Sequence, residues 1–416
     1  MARPDVSGPV VIVGAGQAGL QLAASLRQEG WQEAITLVGD EPHLPYQRPP
    51  LSKGFLLGKT TQSGLFLRSA NFFSDQSIDL LVGERAAGID VPERKVRLAS
   101  GGSLSYGSLV LATGTRPRMP PIPGIELDGV LALRGLDDAA RLRERLEQAR
   151  SLVVIGGGFI GLELAAVAVT QGKDVTVVEA ASRPMARVVA PEMSAFYARE
   201  HQARGIRLLC GSGVARIEGA LGRVTGVVTS DNASVPADVV VVGIGVQAND
   251  ELAVAAGLSA RDGVVVDALL GTGAPGLFAI GDCVRAPHPA APEPIRIESV
   301  QNAVDQAKAV AASIVGKPAP YAALPWFWSD QYDLKLQIAG LSHGHETTQV
   351  LGDPEARRFS LLYFRDRRLI AVDSVNRPGD HMAARRLLSS GMILTPDTAS
   401  MPAFELKAFV QGGGGA

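Results

Sequence analysis

Two short stretches, GAGQAG at residues 14–19 and GGGFIG at residues 156–161, place glycines where an apolar run must turn into a helix. In a Gly-x-Gly-x-x-Gly turn the first glycine takes the tight bend, the second lets backbone approach a pyrophosphate, and the third lets helix pack closely on strand. Unpaired N–H groups at the helix N-terminus then meet the phosphate oxygens. The chemistry implied is dinucleotide binding, twice in one chain, by turns about 140 residues apart. A carboxylate about 20 residues past such glycines, at the end of the following strand, accepts hydrogen bonds from an adenosine ribose. Asp40, with Glu41 as the neighbouring candidate, stands there for the first turn, and Glu179 for the second. An acid at 179 would also repel a ribose 2′-phosphate and favour NADH over NADPH, although Arg183 and Arg187 lie close enough in sequence to accept that phosphate.

These residues need elements to hold them. Residues 10–40 read as strand, turn, helix (AGLQLAASLRQEG) and strand (AITLVGD), a βαβ unit. A Pro-rich loop, DEPHLPYQRPPLSKGFL, short β segments and the apolar strand SLVLATGTRPR follow, and PPIPG at residues 120–124 reads as a linker. A second unit opens near residue 151 with SLVVIGGG, the helix FIGLELAAVAVTQG and the strand DVTVVEA, and the apolar strand DVVVVGIGV ends it. LFAIGDC near residue 277 is a strand stopping at Gly-Asp, and the chain from about residue 320 alternates β-like runs with turns before a GGGGA tail expected to be disordered.

Composition fits that organisation. With 416 residues, 46% of them hydrophobic, and 47 glycines, the chain has the size of two or three α/β domains. A net charge of −2 gives no electrostatic reason to expect nucleic acid. No apolar run is long enough to span a bilayer, and the short N-terminal MARPDVSG leaves no room for a signal core, so a cytoplasmic protein is expected. Cys210 and Cys283, 73 positions apart, suit a reducing compartment.

The ordered set GAGQAG, VGDEPHLPYQRPPLSK, LVLATGTRPR, VIGGGFIGLELAA, VVVGIGV, AIGDC, RIESVQNA and PWFWSDQY resembles the two-dinucleotide flavoprotein reductases. Within them it is most similar to the FAD-containing ferredoxin reductases that serve Rieske-type dioxygenases and bacterial cytochrome P450 systems. The resemblance spans nearly the whole chain, with RPPLSK and WFWSDQ its most specific parts. It implies an α/β fold of two Rossmann-like dinucleotide-binding domains, glutathione-reductase-like, plus a C-terminal α+β domain. The expected boundaries are residues 1–115 with 245–319 for FAD, 116–244 for NAD, and 320–416 for the C-terminal domain.

Carried over by position, the resemblance implies that Gly14, Ala15, Gly16, Ala18 and Gly19 cradle the FAD pyrophosphate, with Asp40 on the ribose and Asp282 on the ribityl or phosphate portion. Arg48, Lys53, Ala86, Thr113, Arg134, Val300 and Trp328 would line the flavin, Ala86 being the one departure at a variable wall position. Gly156, Gly157, Phe159, Ile160, Gly161, Glu179, Arg187 and Gly245 would contact NADH. Glu163 sits in a first helical turn, where the macrodipole favours an acid. In the resembling family this Glu and the LSK lysine, Lys53, meet beside flavin and nicotinamide, so the pair is expected to orient the nicotinamide and stabilise the anionic reduced flavin. Ser329, Asp330 and Gln331 would help close that side.

Absences narrow the class. There is no C-x-x-C or C-x4-C for a dithiol reductase, and no Cys in the EPHLPYQRPPLSK loop for a peroxidase-like relative. Nor is there a Cys or His cluster for an iron–sulfur centre. The implied activity is therefore hydride transfer from NADH to FAD and single-electron release to a separate [2Fe–2S] ferredoxin, with rubredoxin as runner-up. From another class, an NADH-sensing flavoprotein like apoptosis-inducing factor shares the RPPLSK loop. The C-terminal piece carries ten Lys or Arg against ten Asp or Glu between residues 321 and 416, so a basic docking face would require their segregation in space. A monomer or weak homodimer is expected, with no nucleic-acid or membrane partner.

Overall fold

The computed structural model describes residues 8–413, so the first seven residues and the last three of the GGGGA tail lie outside the described residues. In chain order, the elements that matter below begin with β1 (Val10–Val13), α1 (Gln17–Gln28), β2 (Ile35–Gly39), β3 (Ile78–Val82), β4 (Ser108–Leu111) and β5 (Val130–Ala132). There follow β6 (Ser151–Ile155), α2 (Phe159–Thr170), β7 (Asp174–Glu179), α3 (Pro191–Gln202), β8 (Arg207–Cys210), β9 (Val239–Val242), β10 (Leu277–Ala279) and α4 (Val300–Ile314). The last are β11 (Trp326–Gln331), β12 (Leu334–Gly340), β13 (Thr347–Asp353), β14 (Arg358–Arg365), β15 (Arg368–Val375) and α5 (Pro378–Ser390).

The chain divides into two compact units. One comprises the chain up to Gln47 together with Ser63–Arg116 and Val246–Pro325. Its five-stranded parallel sheet runs β10-β4-β1-β2-β3, with β1 in the middle and Val10 in register with Ile35 and Ser108. A strand flanked on both sides and covered on both faces has no polar face, and Val10, Val11, Ile12 and Val13 are all buried. Full burial of each such side chain contributes about 1.5–3 kcal/mol. Helix α1 packs against α4 through small residues: Ala18, Ala303 and the intervening Gly281 leave no room for more.

The other unit comprises Arg48–Gln62, Pro117–Gly245 and the chain from Trp326 onward. It repeats the same parallel plan as β8-β7-β6-β9-β5, with β6 in the middle. Helix α2 differs from an ordinary surface helix because Gly161 through Ala168 are buried without interruption. One side lies on β6 and β7, and the other meets β11, the first strand of an antiparallel sheet ordered β11-β12-β15-β14-β13. The period-2 pattern of WFWSDQ does follow a strand, and it turns Ser329 and Gln331, both fully buried, inward. Among the described residues no helix is long and apolar enough to cross a membrane.

Candidate functional site

In the first unit, Gly14 leaves β1 at φ +115°, and a Cβ there would stand 2.1 Å from the Ala112 carbonyl oxygen. A Cβ on Gly19 would stand 2.0 Å from the Gly14 carbonyl oxygen, so this glycine sets how closely α1 approaches the turn. Gly16 has nothing within 4 Å of that position, and as N-cap it offers no side chain to the first helical N–H groups. Donors without a capping side chain, facing open space, suit a pyrophosphate. Asp40 is exposed just past β2, whereas the Glu41 carboxylate takes the Tyr46 hydroxyl. Ala15 lies under β2, where a Cβ on Gly39 would stand 2.6 Å from its own.

Three further segments complete this end. Gly281 donates its N–H to Gln306 Oε1 at 2.7 Å and faces Ala18, which brings the neighbouring Asp282 to the start of α1. Thr113 is fixed after β4 by donating to the Asn249 carbonyl (2.6 Å) while Asn249 Nδ2 donates back (2.9 Å). Val300, half-buried, opens α4 behind the N-cap Ser299, whose Oγ accepts from Asn302 N–H at 3.1 Å. Ala86 is half-buried at the start of its own short strand, Ala86–Asp90.

The second unit builds the same cradle. Gly156 turns at φ +107° with a would-be Cβ 2.4 Å from the Gly243 carbonyl oxygen, and Gly161 has the Gly156 carbonyl oxygen at 2.1 Å. The open position is Gly158, which caps α2 with nothing within 4 Å. Gly158 was not among the named NADH contacts, although its place in the Gly-x-Gly-x-x-Gly spacing marked it. Gly157 has another job: its N–H donates to Glu179 Oε2 at 2.6 Å, while Glu179 Oε1 accepts from Ala181 N–H at 2.7 Å. The carboxylate at the end of β7 is thus pinned by backbone beside the turn.

The two arginines that follow part ways. Arg183 turns inward, donating to the carbonyls of Val189 (2.9 Å) and Ala186 (3.1 Å) and to Ser194 Oγ (2.5 Å). Arg187 instead spreads its guanidinium 3.3 Å from where a Gly245 side chain would begin, and Gly245 takes φ +109°. Ile160 is 43% exposed at the start of α2, unusual for an apolar residue on this otherwise buried helix. Phe159 packs against Phe327 of β11 with ring centroids 4.8 Å apart, a contact the sequence did not single out.

Glu163 is the charged residue that α2 buries, at 4% exposure. Its Oε2 accepts from Lys53 Nζ at 2.7 Å and Ser52 Oγ at 2.5 Å, and its Oε1 accepts from Ser329 Oγ at 2.6 Å. Breaking a buried pair by removing one partner costs about 3–5 kcal/mol, because the other charge stays behind. Lys53 keeps 20% exposure and also reaches the Pro49 carbonyl at 3.2 Å. Proline at the start of the 3-10 turn Pro49–Ser52 presets φ, so PPLSK delivers Ser52 and Lys53 to Glu163 together. Arg48 donates to the Arg134 carbonyl at 2.8 Å, which ties these two expected flavin contacts to one place. Trp328 is half-buried beside Trp326, ring centroids 5.7 Å apart.

The cysteines take no part. Both are free, Cys283 is buried with its thiol pushed up by desolvation, and burial beside Glu179 raises the Cys210 thiol as well. Among the described residues no group of three or more His, Cys, Asp or Glu could hold a metal ion.

Residues 8–307 match the pyridine nucleotide-disulphide oxidoreductase family and residues 326–410 a reductase C-terminal domain. The chain is 47% identical to rhodocoxin reductase of Rhodococcus erythropolis over 398 residues, covering 96% of this chain and 93% of that one. It is similar to the crystal structure of the ferredoxin reductase for the CYP199A2 system from Rhodopseudomonas palustris, with TM-score 0.95, 46% identity and coverage of 97% and 100% of the two chains. It is also similar to the crystal structure of the covalent putidaredoxin reductase–putidaredoxin complex, with TM-score 0.95, 39% identity and coverage of 98% and 99%.

Proposed function

Because the chain belongs to the pyridine nucleotide-disulphide oxidoreductase family, we propose that it is a ferredoxin reductase that takes electrons specifically from NADH, through FAD, to a [2Fe–2S] ferredoxin serving an oxygenase or cytochrome P450. Its cofactors are FAD and a nicotinamide dinucleotide. The observation that carries the reading is the duplicated cradle, with Gly16 and Gly158 facing open space at helix N-termini that lack a capping side chain.

FAD bound by these residues would supply the conversion between two-electron hydride chemistry and one-electron transfer. The chain's own residues bind and orient. N–H groups at Gly16 and the start of α1 take the FAD pyrophosphate, Asp40 takes the ribose, and Asp282 the ribityl or phosphate oxygens. Gly158 and the start of α2 take the NADH pyrophosphate, with Phe159, Ile160, Arg187 and Gly245 around it. Glu179, fixed by Gly157 and Ala181, accepts the adenosine ribose hydroxyls and repels a 2′-phosphate. With Arg183 occupied by carbonyls and Arg187 turned to Gly245, discrimination rests on Glu179. Lys53 and Glu163 would orient the nicotinamide and hold the developing charge, and no side chain there has to move a proton. Residues 1–115 with 245–319 form the FAD domain, 116–244 the NADH domain and 320–416 the C-terminal domain, in a cytoplasmic monomer or weak homodimer.

The test is anaerobic titration of the purified yellow protein with NADH and with NADPH, followed by a [2Fe–2S] ferredoxin or a rubredoxin. Bleaching of the flavin bands by one equivalent of NADH, with little effect of NADPH and reoxidation by the ferredoxin, supports the reading. Preferential reoxidation by rubredoxin would change the partner. A long-lived charge-transfer species that neither carrier discharges would move the assignment to NADH sensing.

A further inference from the structure

The carboxylate of Glu163 is the end of a longer chain of hydrogen bonds, all within the second unit. Ser329 Oγ donates to Glu163 Oε1 at 2.6 Å, which leaves its oxygen free to accept from Gln331 Nε2 at 3.2 Å. Gln331 therefore turns its carbonyl outward, 2.7 Å from His201 Nε2. An amide oxygen only accepts, so His201 carries its hydrogen on Nε2. Its Nδ1, 3.0 Å from the Tyr332 hydroxyl, is then the bare acceptor and the phenol donates. Every donor along Tyr332, His201, Gln331 and Ser329 points the same way, toward Glu163.

We propose that Tyr332, His201, Gln331 and Ser329 form a one-way polarised relay of positioning residues, which fixes the Glu163 carboxylate as an acceptor facing Lys53. Reversing one amide or one tautomer would set two acceptors or two donors face to face inside the protein. Aligned hydrogen bonds polarise one another, most strongly where water is excluded, and His201, Gln331 and Ser329 are all fully buried. The Gln331 amide interrupts any proton path, so the relay orients and polarises without conducting protons. Burial pushes the His201 imidazole down to about 4, which keeps the ring neutral with one acceptor nitrogen.

The outer end is built at a cost in backbone strain. Tyr332 lies in the two-residue turn between β11 and β12 with φ +58°, a conformation bulky side chains rarely adopt. Its ring is stacked under the Arg204 guanidinium at 4.3 Å, itself paired with Glu200 at 2.6 Å, and these contacts aim the hydroxyl at His201.

Two measurements test the relay, and only the second rests on the reductase reading. In the holoprotein labelled with ¹⁵N-histidine, His201 is expected as the neutral Nε2–H tautomer at neutral pH, and Gln331→Leu, which removes the acceptor facing Nε2, should let the Nδ1–H form appear. A charged ring or an Nδ1–H tautomer in the unaltered protein overturns the proposal. In anaerobic stopped flow, His201→Leu should slow flavin reduction by NADH about three- to tenfold, the order expected for losing part of one charge-assisted hydrogen bond. The NADH dissociation constant should barely change. His201→Gln, whose amide nitrogen reaches the place of Nε2, should restore the rate to within about twofold of the unaltered protein and return the flavin midpoint potential with it. Equal rates and potentials in the Leu and Gln variants would overturn the relay. A protein that NADH does not reduce at all would overturn the reductase reading instead, and the tautomer would still decide the relay.

Discussion

The two glycine turns are nearly superposable in plan, and their difference lies one helical turn further on. Gly14, Gly16 and Gly19 match Gly156, Gly158 and Gly161 in spacing, in the first glycine's positive φ, and in which of the three has open space. Two residues past the last glycine, GLQL meets GLEL. Gln21 is half-buried and spends its amide on Ser25 of its own helix at 3.0 Å, whereas Glu163 is buried and pairs with Lys53, 110 residues away. The turn is a general phosphate holder that backbone geometry dictates. What sets the second copy apart is that its helix is buried on both sides, so an acid there must find a partner.

The largest break in that comparison should come from Glu163→Ala, which leaves Lys53 uncompensated. Flavin reduction by NADH is expected to fall about 10²- to 10³-fold, the usual scale for removing one preorganised charge contact, while Gln21→Ala should leave it within about twofold. Stopped-flow bleaching measures both. Next come Gly19→Ala and Gly161→Ala, whose new methyl meets a carbonyl oxygen at 2.0 and 2.1 Å. Each should lower stability by about 1–3 kcal/mol, read from denaturant midpoints, because the helix must move off its strand. Smaller again, Glu179→Ala should reduce the NADH-over-NADPH ratio of kcat/KM about tenfold, since the carboxylate that repels a 2′-phosphate is then gone. An unchanged ratio would place discrimination elsewhere.

A second buried acid sharpens the role of the cation. Asp373 on β15 is buried like Glu163 but makes no ion pair among the described residues; its Oδ2 takes the Tyr363 hydroxyl and its Oδ1 has no partner. Burial accordingly pushes its carboxyl up to about 7. The folded protein holds a proton there that the unfolded chain gives up near pH ~4, so stability falls as pH rises from about 4 to about 7 and levels off above. Asp373→Asn should flatten that slope in thermal unfolding across this window, and an unaltered slope would show that Asp373 does not titrate there.

Both βαβ units and the closing Gly-Asp strand were legible because each imposes a local demand: a positive φ, a close approach, a strand with no polar face. The constellation around Glu163 was legible only as the Lys53 pair that resemblance supplied. Ser52 lies next to that lysine in sequence, but Ser329 lies 166 residues from the acid and His201 130 residues from Gln331, and no periodicity encodes such meetings. Arg183 and Arg187 looked alike in sequence and differ because only Arg183 finds carbonyls to turn toward. Phe327 was hidden in an aromatic run whose members look equivalent until the strand's two faces are assigned.

The division of labour between the turns is tested most directly by adding a side chain at each open position, Gly16→Val and Gly158→Val, and recording the visible spectrum of both purified proteins before and after anaerobic NADH. Both should fold, because neither new Cβ meets a protein atom within 4 Å. Gly16→Val is expected colourless, and Gly158→Val yellow with a full complement of FAD that NADH bleaches poorly. A yellow Gly16→Val protein that NADH reduces normally, or a Gly158→Val protein that loses its flavin, would contradict the assignment of FAD to the first turn and NADH to the second.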